Sequence, residues 1–373
     1  MRWSWRVGKL AGIDVHIHAT FWLLLVWVAL VQYRAGGSAA DAIPEVVFVL
    51  AVFGIVVLHE LGHALTARRF GIATRDITLL PIGGVARLER MPREPRQELL
   101  IAIAGPAVNV ALAAVLYVGL ALTGGVPSMA DAASLDAAFL SRALPARLIG
   151  INLWLAGFNL IPAFPMDGGR VLRALLAMRT GNYARATELA ARVGRAFALL
   201  FGILGLFVFD NQPFLVFVAL FVWLGAAGEA AAVQTSSTLA GVPVGQVMIT
   251  DVRTLAPDDP LERAVRLVLD GFQQDFPVVE HGEVVGILTR AALIRALAER
   301  GLTSAVGAVM QRDFRAAAPE EPVEEVLSRL ESCGCHALPV VRGRQLLGVL
   351  TTENVGEFVM VQSALRGARI KVA

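Results

Sequence analysis

The chain has little charge and little cysteine for its length. Only 17% of its 373 residues are charged, whereas 56% are hydrophobic, and the mean hydropathy is +0.64. This is far more apolar than the core of a soluble domain needs, which excludes an ordinary water-soluble protein and predicts a membrane domain. The two cysteines, Cys333 and Cys335, stand beside His336 but are too few to complete a zinc cage. The net charge of +2 gives no reason to expect nucleic acid as a partner.

Long apolar runs predict an α-helical polytopic membrane domain with about six segments. Two runs, Leu99–Leu122 and Phe214–Val233, are long enough to cross a bilayer core of about 30 Å. Four other apolar runs follow the same pattern, and the short ones among them would span if buried against neighbours: Ala19–Tyr33, Val46–Ala67, Leu148–Phe164 and Ala196–Phe209. The first run lacks a small-residue cleavage site, so we expect an anchor and not a removed signal peptide.

Arginine-rich and arginine-poor linkers alternate along these segments, which predicts the orientation. The rich regions contain Arg2, Arg6 and Lys9, then Arg68, Arg69, Arg75, Arg87, Arg90, Arg93 and Arg96, then Arg170, Arg173, Arg179, Arg185, Arg192 and Arg195. The poor linkers contain Arg34, then Arg142 and Arg147, then none. We therefore expect a multi-pass protein of the inner (plasma) membrane with both termini in the cytoplasm. The scarcity of lysine, limited to Lys9 and Lys371, suggests a GC-rich bacterial genome.

The C-terminal part of the chain is less apolar and repeats itself at an offset of 62 residues. Matching positions include Val247-Met248 and Val309-Met310, Pro257 and Pro319, Gly286 and Gly348, and Thr289 and Thr351. Each copy predicts a helix (PDDPLERAVRLVL or PEEPVEEVLSRL), two strands (FPVV with VVGILT, or LPVV with LLGVLT) and a closing helix. Two such α/β units should pair into one soluble module after the linker QTSST. The expected domain limits are 1–235, 242–300 and 304–362.

The second apolar segment contains the motif His-Glu-x-x-His in VVLHELGHAL. On a helix, His59 and His63 share a face and can point two imidazoles at one ion. The adjacent Glu60 can take a proton from a metal-bound water. Zinc is the ion that we expect at an imidazole-rich site. Two histidines hydrogen-bonded in a protein core are the alternative, although such groups in hydrocarbon need partners.

A catalytic zinc ion usually takes three protein ligands, so a third must be found. Glu45 lies at the opposite end of the same segment, and Glu229 lies late in segment six. Asp167, in FNLIPAFPMDGGRVLRAL, ends segment four just before cytoplasmic arginines, at a depth comparable with the two histidines. Asp167 is therefore the preferred ligand, although an Asp-Gly turn that closes segment four would also explain it.

Together these motifs resemble the site-2 protease family of intramembrane zinc metalloproteases. The resemblance rests on HELGH in an apolar segment, on AIAGPAVNVAL and on FNLIPAFPMDGGR, and it covers almost the whole chain. It implies His59, His63 and Asp167 as ligands of one zinc ion per chain. It also implies Glu60 as the catalytic acid and base. The C-terminal repeat resembles a pair of cystathionine-β-synthase (CBS) domains, which marks one branch of that family.

Further residues have expected roles, and those of Asn159, Gly83 and Gly84 follow from the same resemblance. Asn159 would hold the substrate or the oxyanion, or else make an interhelical hydrogen bond. Gly83 and Gly84, in ITLLPIGGVARL, would belong to a membrane-surface strand that pairs with an extended substrate. Asn109 is expected to serve helix packing. His16 and His18 are expected to be surface residues. Pro162 and Pro165 are expected to break segment four.

The CBS pair raises the question of a nucleotide ligand. The resemblance to CBS pairs implies an adenine-nucleotide sensor. In the binding pattern of that family, an Asp three residues after a Ser or Thr holds the ribose hydroxyls. Thr289 is followed by Ala292 and Thr351 by Asn354, so both copies lack that Asp. Adenine nucleotides are therefore expected to bind weakly or not at all, and the pair to serve in gating or as a homodimer contact.

The resulting prediction is zinc-dependent intramembrane proteolysis of a single-pass membrane regulatory protein, such as an anti-sigma factor or a sigma precursor. A zinc-bound water activated by Glu60 would attack the peptide bond, and the CBS pair would modulate the reaction. The expected partners are this transmembrane substrate and the lipid bilayer. One alternative is a CBS-gated transporter or channel whose intramembrane acids and histidines bind ions. A catalytically inactive scaffold is less favoured, because no expected catalytic residue is missing.

Overall fold

A computed structural model describes residues 3–34, 39–81, 83–89, 92, 94–122, 144–208, 213–271, 273–333 and 336–372. Arg2, Arg90, Arg93 and Arg142, which entered the orientation argument, lie outside these ranges, as does Cys335. The chain divides into two compact units, Met1–Ala231 and Ala232–Ala373, and each is described by itself.

The first unit is mainly helical. Its helices in the described ranges are α1 (Ala19–Arg34), α2 (Ala39–Arg69), α3 (Pro95–Leu122), α4 (Leu144–Asn159), α5 (Asp167–Thr180), α6 (Tyr183–Ile203), which continues as a π-helical turn (Leu204–Val208), and α7 (Pro213–Leu239). The amphipathic helix α5 has no counterpart among the predicted segments. The last residues of α7 belong to the second unit.

Each of the six predicted segments contains a helix, but the helices differ in length. Four stretches are long and apolar enough to cross a membrane: Ala42–Arg69, Pro95–Leu122, Tyr183–Val208 and Pro213–Leu239. Helices α1 and α4 have 16 residues each, which at 1.5 Å per residue gives about 24 Å. The membrane-helix architecture is confirmed, and the count of six crossings stays a prediction.

A four-stranded sheet packs against α2. Its strands are β1 (Ser4–Leu10), β2 (Ile13–His18), β3 (Thr74–Leu80) and β4 (Gly83–Leu88), in the order β1-β2-β3-β4. Strand β2 is parallel to β3, whereas the two other pairs are antiparallel. The sequence predicts one strand in the 77–88 stretch and none before α1. The structure has a β3–β4 hairpin there and adds the β1–β2 hairpin.

The alternation of side chains explains how the sheet faces the helix. Val15 and Leu79 form a buried cluster with Phe53 and Val57 of α2. The same face carries Ile13 and Ile77, packed on Ala64 of the same helix. The sheet therefore supports the helix that carries the HELGH motif.

A row of charged side chains crosses the four strands. Lys9 is paired in register with Asp14, Asp14 with Asp76, and Asp76 with Arg87. Arg87 Nε donates a hydrogen bond of 2.9 Å to Asp76, and Nη2 donates a second one. Burial raises the pKa of Asp76, but these hydrogen bonds outweigh it, so the pKa lies below its usual value. The pair fixes the register of β3 against β4.

The second unit contains the two repeats, which share one sheet. The elements are α8 (Leu261–Asp270), β5 (Phe276–Glu280), β6 (Glu283–Leu288) and α9 (Arg290–Arg300), then α10 (Val323–Cys333), β7 (Ala337–Arg342), β8 (Gln345–Thr351) and α11 (Thr352–Val372). The strand order is β5-β6-β8-β7. Phe276 pairs with Leu288 as Leu338 pairs with Leu350, so the 62-residue offset also holds in the strand register.

The two repeats exchange their leading segments. Val244 and Val247 lie at the start of the first repeat but are buried in a core with Leu338 and Leu350 of the second. Val306, at the start of the second repeat, is buried with Phe276 and other residues of the first. A Cβ on Gly286 would lie 2.7 Å from Met310 Sδ, and one on Gly348 would lie 2.9 Å from Met248 Sδ. The repeated Val-Met and glycine positions are thus contacts between the repeats.

Candidate metal centre

Three side chains from two distant parts of the chain converge inside the first unit. His59 Nε2 is 3.2 Å and His63 Nε2 is 3.1 Å from Asp167 Oδ2, and the two Nε2 atoms are 3.1 Å apart. All three residues are buried. They form a group of histidines and acids able to hold a metal ion. The structure thus brings together the three residues that the sequence analysis selected.

Helix α3 orients both imidazoles through their other ring nitrogens. His63 Nδ1 is 2.7 Å from the carbonyl oxygen of Ile101, and His59 Nδ1 is 3.1 Å from Asn109 Oδ1. Because a carbonyl oxygen only accepts hydrogen bonds, His63 carries a proton on Nδ1, and in the neutral imidazole the lone pair is then on Nε2, the atom that faces Asp167. The same assignment holds for His59 with the amide oxygen of Asn109 facing it. Asn109 was expected only to pack, and this contact gives it a direct role in orienting a ligand.

Two glycines let α3 approach this site closely. A Cβ on Gly105 would lie 2.2 Å from His63 Nε2 and 2.6 Å from His59 Nε2. A Cβ on Gly62, on α2, would lie 2.9 Å from the carbonyl oxygen of Ala104. Any larger residue at Gly105 would therefore occupy the space between the imidazoles. The motif AIAGPAVNVAL thus supplies both the close approach and the Asn109 acceptor.

The segment between α4 and α5 places Asp167. Helix α4 ends at Asn159, and Asp167 is the first residue of α5, so Asp167 does not end the segment-four helix as expected. A Cβ on Gly168 would lie 2.2 Å from the carbonyl oxygen of Ile161, and one on Gly169 would lie 2.6 Å from the nitrogen of Phe164. The Asp-Gly-Gly sequence thus lets α5 begin directly against the 160–166 segment, which contains the two prolines expected to break the helix.

The donor set fits zinc. Two imidazole lone pairs and a carboxylate oxygen face one another at hydrogen-bond distance, and such an arrangement is stabilised by a cation between them. Two histidines and a carboxylate are also a ligand set of catalytic zinc sites, which leave a further position open. Each Nδ1 atom also faces a hydrogen-bond acceptor, as is usual for histidines that bind zinc.

Glu60 turns away from α3 towards the sheet. Its Oε2 accepts a hydrogen bond of 3.1 Å from the backbone nitrogen of Ala86 on β4. Its Oε1 has no hydrogen-bond partner among the described residues. A Cβ on Gly84 would lie 2.8 Å from Glu60 Cγ, so this glycine permits β4 to approach the carboxylate. The preceding residue, Gly83, has a φ of +137°, and a Cβ added there would meet no atom within 4 Å.

The two other acids considered as third ligands have different partners. Glu45 makes a bidentate ion pair with Arg147, at 2.9 and 2.7 Å. Glu229 accepts a hydrogen bond of 2.5 Å from Arg173 on α5. Both residues are therefore accounted for by arginines, which leaves Asp167 with the histidines.

The remaining predicted residues lie apart from this group or have structural contacts. Asn159 is half-buried, and its side chain makes no hydrogen bond to a residue that the structure describes. Thr289 Oγ1 accepts from the backbone nitrogen of Ala292, and Thr351 Oγ1 accepts from that of Asn354, both at 3.2 Å. Each threonine thus caps a helix. His18 is hydrogen-bonded to Thr20 at 2.8 Å, and His16 is half-buried.

The chain is similar in sequence to known membrane proteases and CBS domains. The model of peptidase family M50 matches residues 47–142 and 122–201, and the CBS-domain model matches 244–299 and 306–359. A zinc metalloprotease of Methanocaldococcus jannaschii is 35% identical over 77% of this chain and 78% of its own length. Rip3 of Mycobacterium tuberculosis is 32% identical over 97% of this chain and 94% of its own length. The solved site-2 protease of M. jannaschii is 37% identical, with a TM-score of 0.44 over 61% of this chain and 95% of that one.

Proposed function

This chain belongs to the site-2 protease family (peptidase family M50), in a branch that ends in a CBS pair, and we propose that it hydrolyses a peptide bond of a single-pass membrane regulatory protein within the bilayer. It is a zinc metalloprotease, and its substrate is the new part of the proposal. An anti-sigma factor or a sigma precursor is the substrate type that we expect. The observation that carries the proposal is the buried group of His59, His63 and Asp167 next to Glu60, in which both histidines and Glu60 lie on a helix apolar enough to span a membrane.

The residues divide the chemistry between them. We assign His59, His63 and Asp167 as the ligands of one zinc ion. Zinc bound there would polarise the scissile carbonyl and lower the pKa of water to about 7. Glu60 takes the proton of the attacking water and returns it to the leaving amine. Ala86 holds one oxygen of Glu60 by its backbone N–H, which leaves the other oxygen available for this transfer.

Strand β4 is the element that we assign to substrate binding. Among the described strands it has one neighbour, β3, and its Ala86 N–H reaches Glu60. An extended substrate segment that adds to this edge would lie beside the catalytic carboxylate. Gly83 and Gly84 would keep the edge free of side chains, and Asn159 would bind the substrate or the oxyanion. Gly83→Val should slow cleavage while the zinc content stays unchanged. Normal cleavage by this variant would contradict the proposed binding of substrate to β4.

The CBS pair is assigned to modulation of the protease, in gating or homodimer formation. We propose cytoplasmic termini and keep the domain limits 1–235, 242–300 and 304–362. Because Thr289 and Thr351 cap helices and the ribose-binding Asp is absent, adenine nucleotides should bind weakly or not at all. Micromolar affinity of ATP for the full-length protein by calorimetry would contradict this expectation.

The proposal is tested by zinc content and cleavage measured on the same detergent-purified preparations. Elemental mass spectrometry should find about one zinc per chain in the wild type and in Glu60→Gln, and much less in His59→Ala and Asp167→Ala. Only the wild type should cleave single-pass membrane substrates. Zinc retained in Asp167→Ala would mean that the third ligand is another residue. A Glu60→Gln protein that still cleaves would exclude Glu60 as the base, and ion transport by that variant would favour the transporter.

A further inference from the structure

Arg173 is the largest side chain that the structure buries completely, with 0% of its surface exposed. It lies on α5, the helix that begins with the proposed zinc ligand Asp167. A guanidinium group is always charged and is costly to remove from water, so its burial requires partners on every side. Those partners come from the helices around the metal centre.

The guanidinium group contacts four separate elements. Nε donates a hydrogen bond of 2.8 Å to Glu98 Oε1 on α3, and Nη2 donates to the same oxygen. Nη1 donates a hydrogen bond of 2.5 Å to Glu229 Oε1 on α7. The guanidinium carbon lies 5.0 Å from the ring centroids of both Phe164, in the segment before Asp167, and Tyr183 on α6. One side chain thus connects helix α5 to α3, α6, α7 and the segment before Asp167.

The contact with Glu98 matters because of what else α3 carries. Glu98 lies one helical turn before Ile101, whose carbonyl oxygen faces His63, and Asn109 on the same helix faces His59. Helix α3 therefore orients the two imidazoles, whereas α5 carries the carboxylate. The position of Asp167 relative to the histidines depends on how α5 is placed against α3.

We propose that Arg173 is a positioning residue of the metal centre, whose hydrogen bonds to Glu98 hold Asp167 at the histidines. The contact with Glu229 on α7 and the two rings restrain the same helix from the other side. This inference rests on the metal centre of the proposed function and not on the proteolytic step. It gives Arg173, the second arginine of the MDGGRVLR segment, a function in zinc binding beyond helix packing.

The chain also provides a matched control. Arg147 on α4 makes a bidentate ion pair with Glu45 on α2, and its guanidinium carbon lies 3.8 Å from the ring centroid of Phe48. Arg147 is likewise buried, with 5% exposed. It has the same kinds of partner as Arg173, yet it contacts neither α3 nor α5 in these interactions. Substitution of Arg147 reports the general cost of breaking a buried ion pair.

The experiment measures the zinc dissociation constant of full-length, detergent-purified protein by competition with a chromogenic chelator. The variants are Arg173→Gln, Arg173→Lys, Glu98→Gln and Arg147→Gln. Loss of a direct hydrogen-bond partner of a metal ligand typically weakens binding about 10–100-fold. Arg173 acts on Asp167 through the placement of α5, so Arg173→Gln should lose about tenfold, at the lower end of that range. Arg173→Lys keeps the charge and should recover part of that loss, and Glu98→Gln should weaken binding in the same direction. Arg147→Gln should stay within about twofold of the wild type. Gel filtration and melting of the zinc-free proteins identify the variants that are folded.

Two results would overturn the inference. One is a folded Arg173→Gln protein with wild-type zinc affinity; if that variant does not fold, wild-type affinity in both Arg173→Lys and Glu98→Gln has the same meaning. The other is an equal loss in Arg147→Gln, which would assign the effect to general destabilisation. Failure of the proposed function is distinguishable, since a wild-type protein that binds zinc without cleaving peptides leaves the positioning role intact. A wild-type protein that binds no zinc overturns the metal centre and this inference together.

Discussion

At the scale of single residues, the metal centre requires a glycine at position 105. Gly105 faces the space between His59 and His63, where a Cβ would lie 2.2 Å from one imidazole nitrogen and 2.6 Å from the other. Such distances are far inside van der Waals contact, so one methyl group must displace the imidazoles or exclude the ion. The site is sensitive to the smallest possible side chain.

Gly105→Ala should therefore abolish stoichiometric zinc binding and cleavage while the protein remains folded. The matched control is Gly119→Ala on the same helix, where a Cβ meets no atom within 4 Å. That variant should bind zinc as the wild type does and gain slight helix stability. Zinc content by elemental mass spectrometry and gel filtration of both variants make the comparison. Full zinc content in Gly105→Ala would show that the helices separate more easily than this packing implies.

Asn109 provides a second test at this scale. Its Oδ1 faces His59 Nδ1 at 3.1 Å, and its side chain is fully buried. Asn109→Ala removes the acceptor that fixes the imidazole, so zinc affinity should fall about 10–100-fold. Asn109→Asp keeps an acceptor oxygen and should retain most of the affinity. Chelator competition on both variants measures this, and equal affinities of Asn109→Ala and wild type would return Asn109 to a packing role.

The ligands could be predicted from the sequence, whereas their supports could not. The i, i+4 spacing of His59 and His63 fixes their common face whatever surrounds the helix. The roles of Gly105 and Asn109 depend on which face of α3 meets α2. Helix α3 is apolar nearly all round, so its periodicity does not identify that face. The sequence signal of that face was the spacing of Gly105 and Asn109, a glycine and a polar residue four positions apart.

At the scale of elements, the strands were harder to predict than the helices. The IDVHIH stretch alternates Ile13, Val15 and Ile17 with polar residues, which is a strand signal. The charges beside it predict the membrane orientation, and neither β1 nor β2 is among the predicted strands. The burial of β2 against α2 depends on β3, which lies far along the chain, so the pairing of β2 with β3 could not be predicted from the local sequence.

The Asp76–Arg87 pair allows a test of the sheet by pH. Because the folded-state pKa of Asp76 is lowered, its stabilising effect is present above the unfolded value of about 3.9 and is lost as pH falls through the folded value. The pair is partly exposed, so it is worth up to about 1 kcal/mol. Asp76→Asn should therefore lower the melting temperature by about 2–4 °C at pH 7.

Below the unfolded pKa of about 3.9, the unfolded chain takes up a proton more readily than the folded one, so at pH 3 the difference between the two proteins should be smaller than at pH 7. Differential scanning fluorimetry in detergent at both pH values measures it. Arg87→Gln is the partner control, and the double variant should be no less stable than the worse single one. A difference that is as large at pH 3 as at pH 7 would assign the effect of Asp76→Asn to packing.

At the scale of the whole molecule, the sequence repeat and the structural unit do not coincide. The 62-residue offset correctly predicts the helices and strands of each copy, because each copy contains its own turn and capping signals. It does not reveal that Val244 is buried in the second repeat or Val306 in the first. An exchange of segments between copies leaves the offset unchanged, so no self-comparison of the sequence could detect it.

The same exchange affects where the CBS module begins. The proposed limits of 1–235 and 242–300 leave Leu239 outside both domains, yet its side chain is 2% exposed in the core with Leu338 and Leu350. Ser236 also donates a hydrogen bond of 2.9 Å to Glu324. The end of α7 thus contributes to the stability of the second repeat, and a fragment that begins after it loses these contacts.

A fragment of residues 232–373 should therefore be more stable than one of residues 241–373. Burial of one leucine contributes about 1.5–3 kcal/mol, so the free energy of unfolding should differ by at least that range. Urea denaturation followed by circular dichroism measures both fragments. Leu239→Ala in the longer fragment should reproduce most of the difference, because the leucine contributes more than the exposed Ser236 hydrogen bond. Equal midpoints for the two fragments would mean that the module begins after α7 and that Leu239 only fills a pre-existing surface.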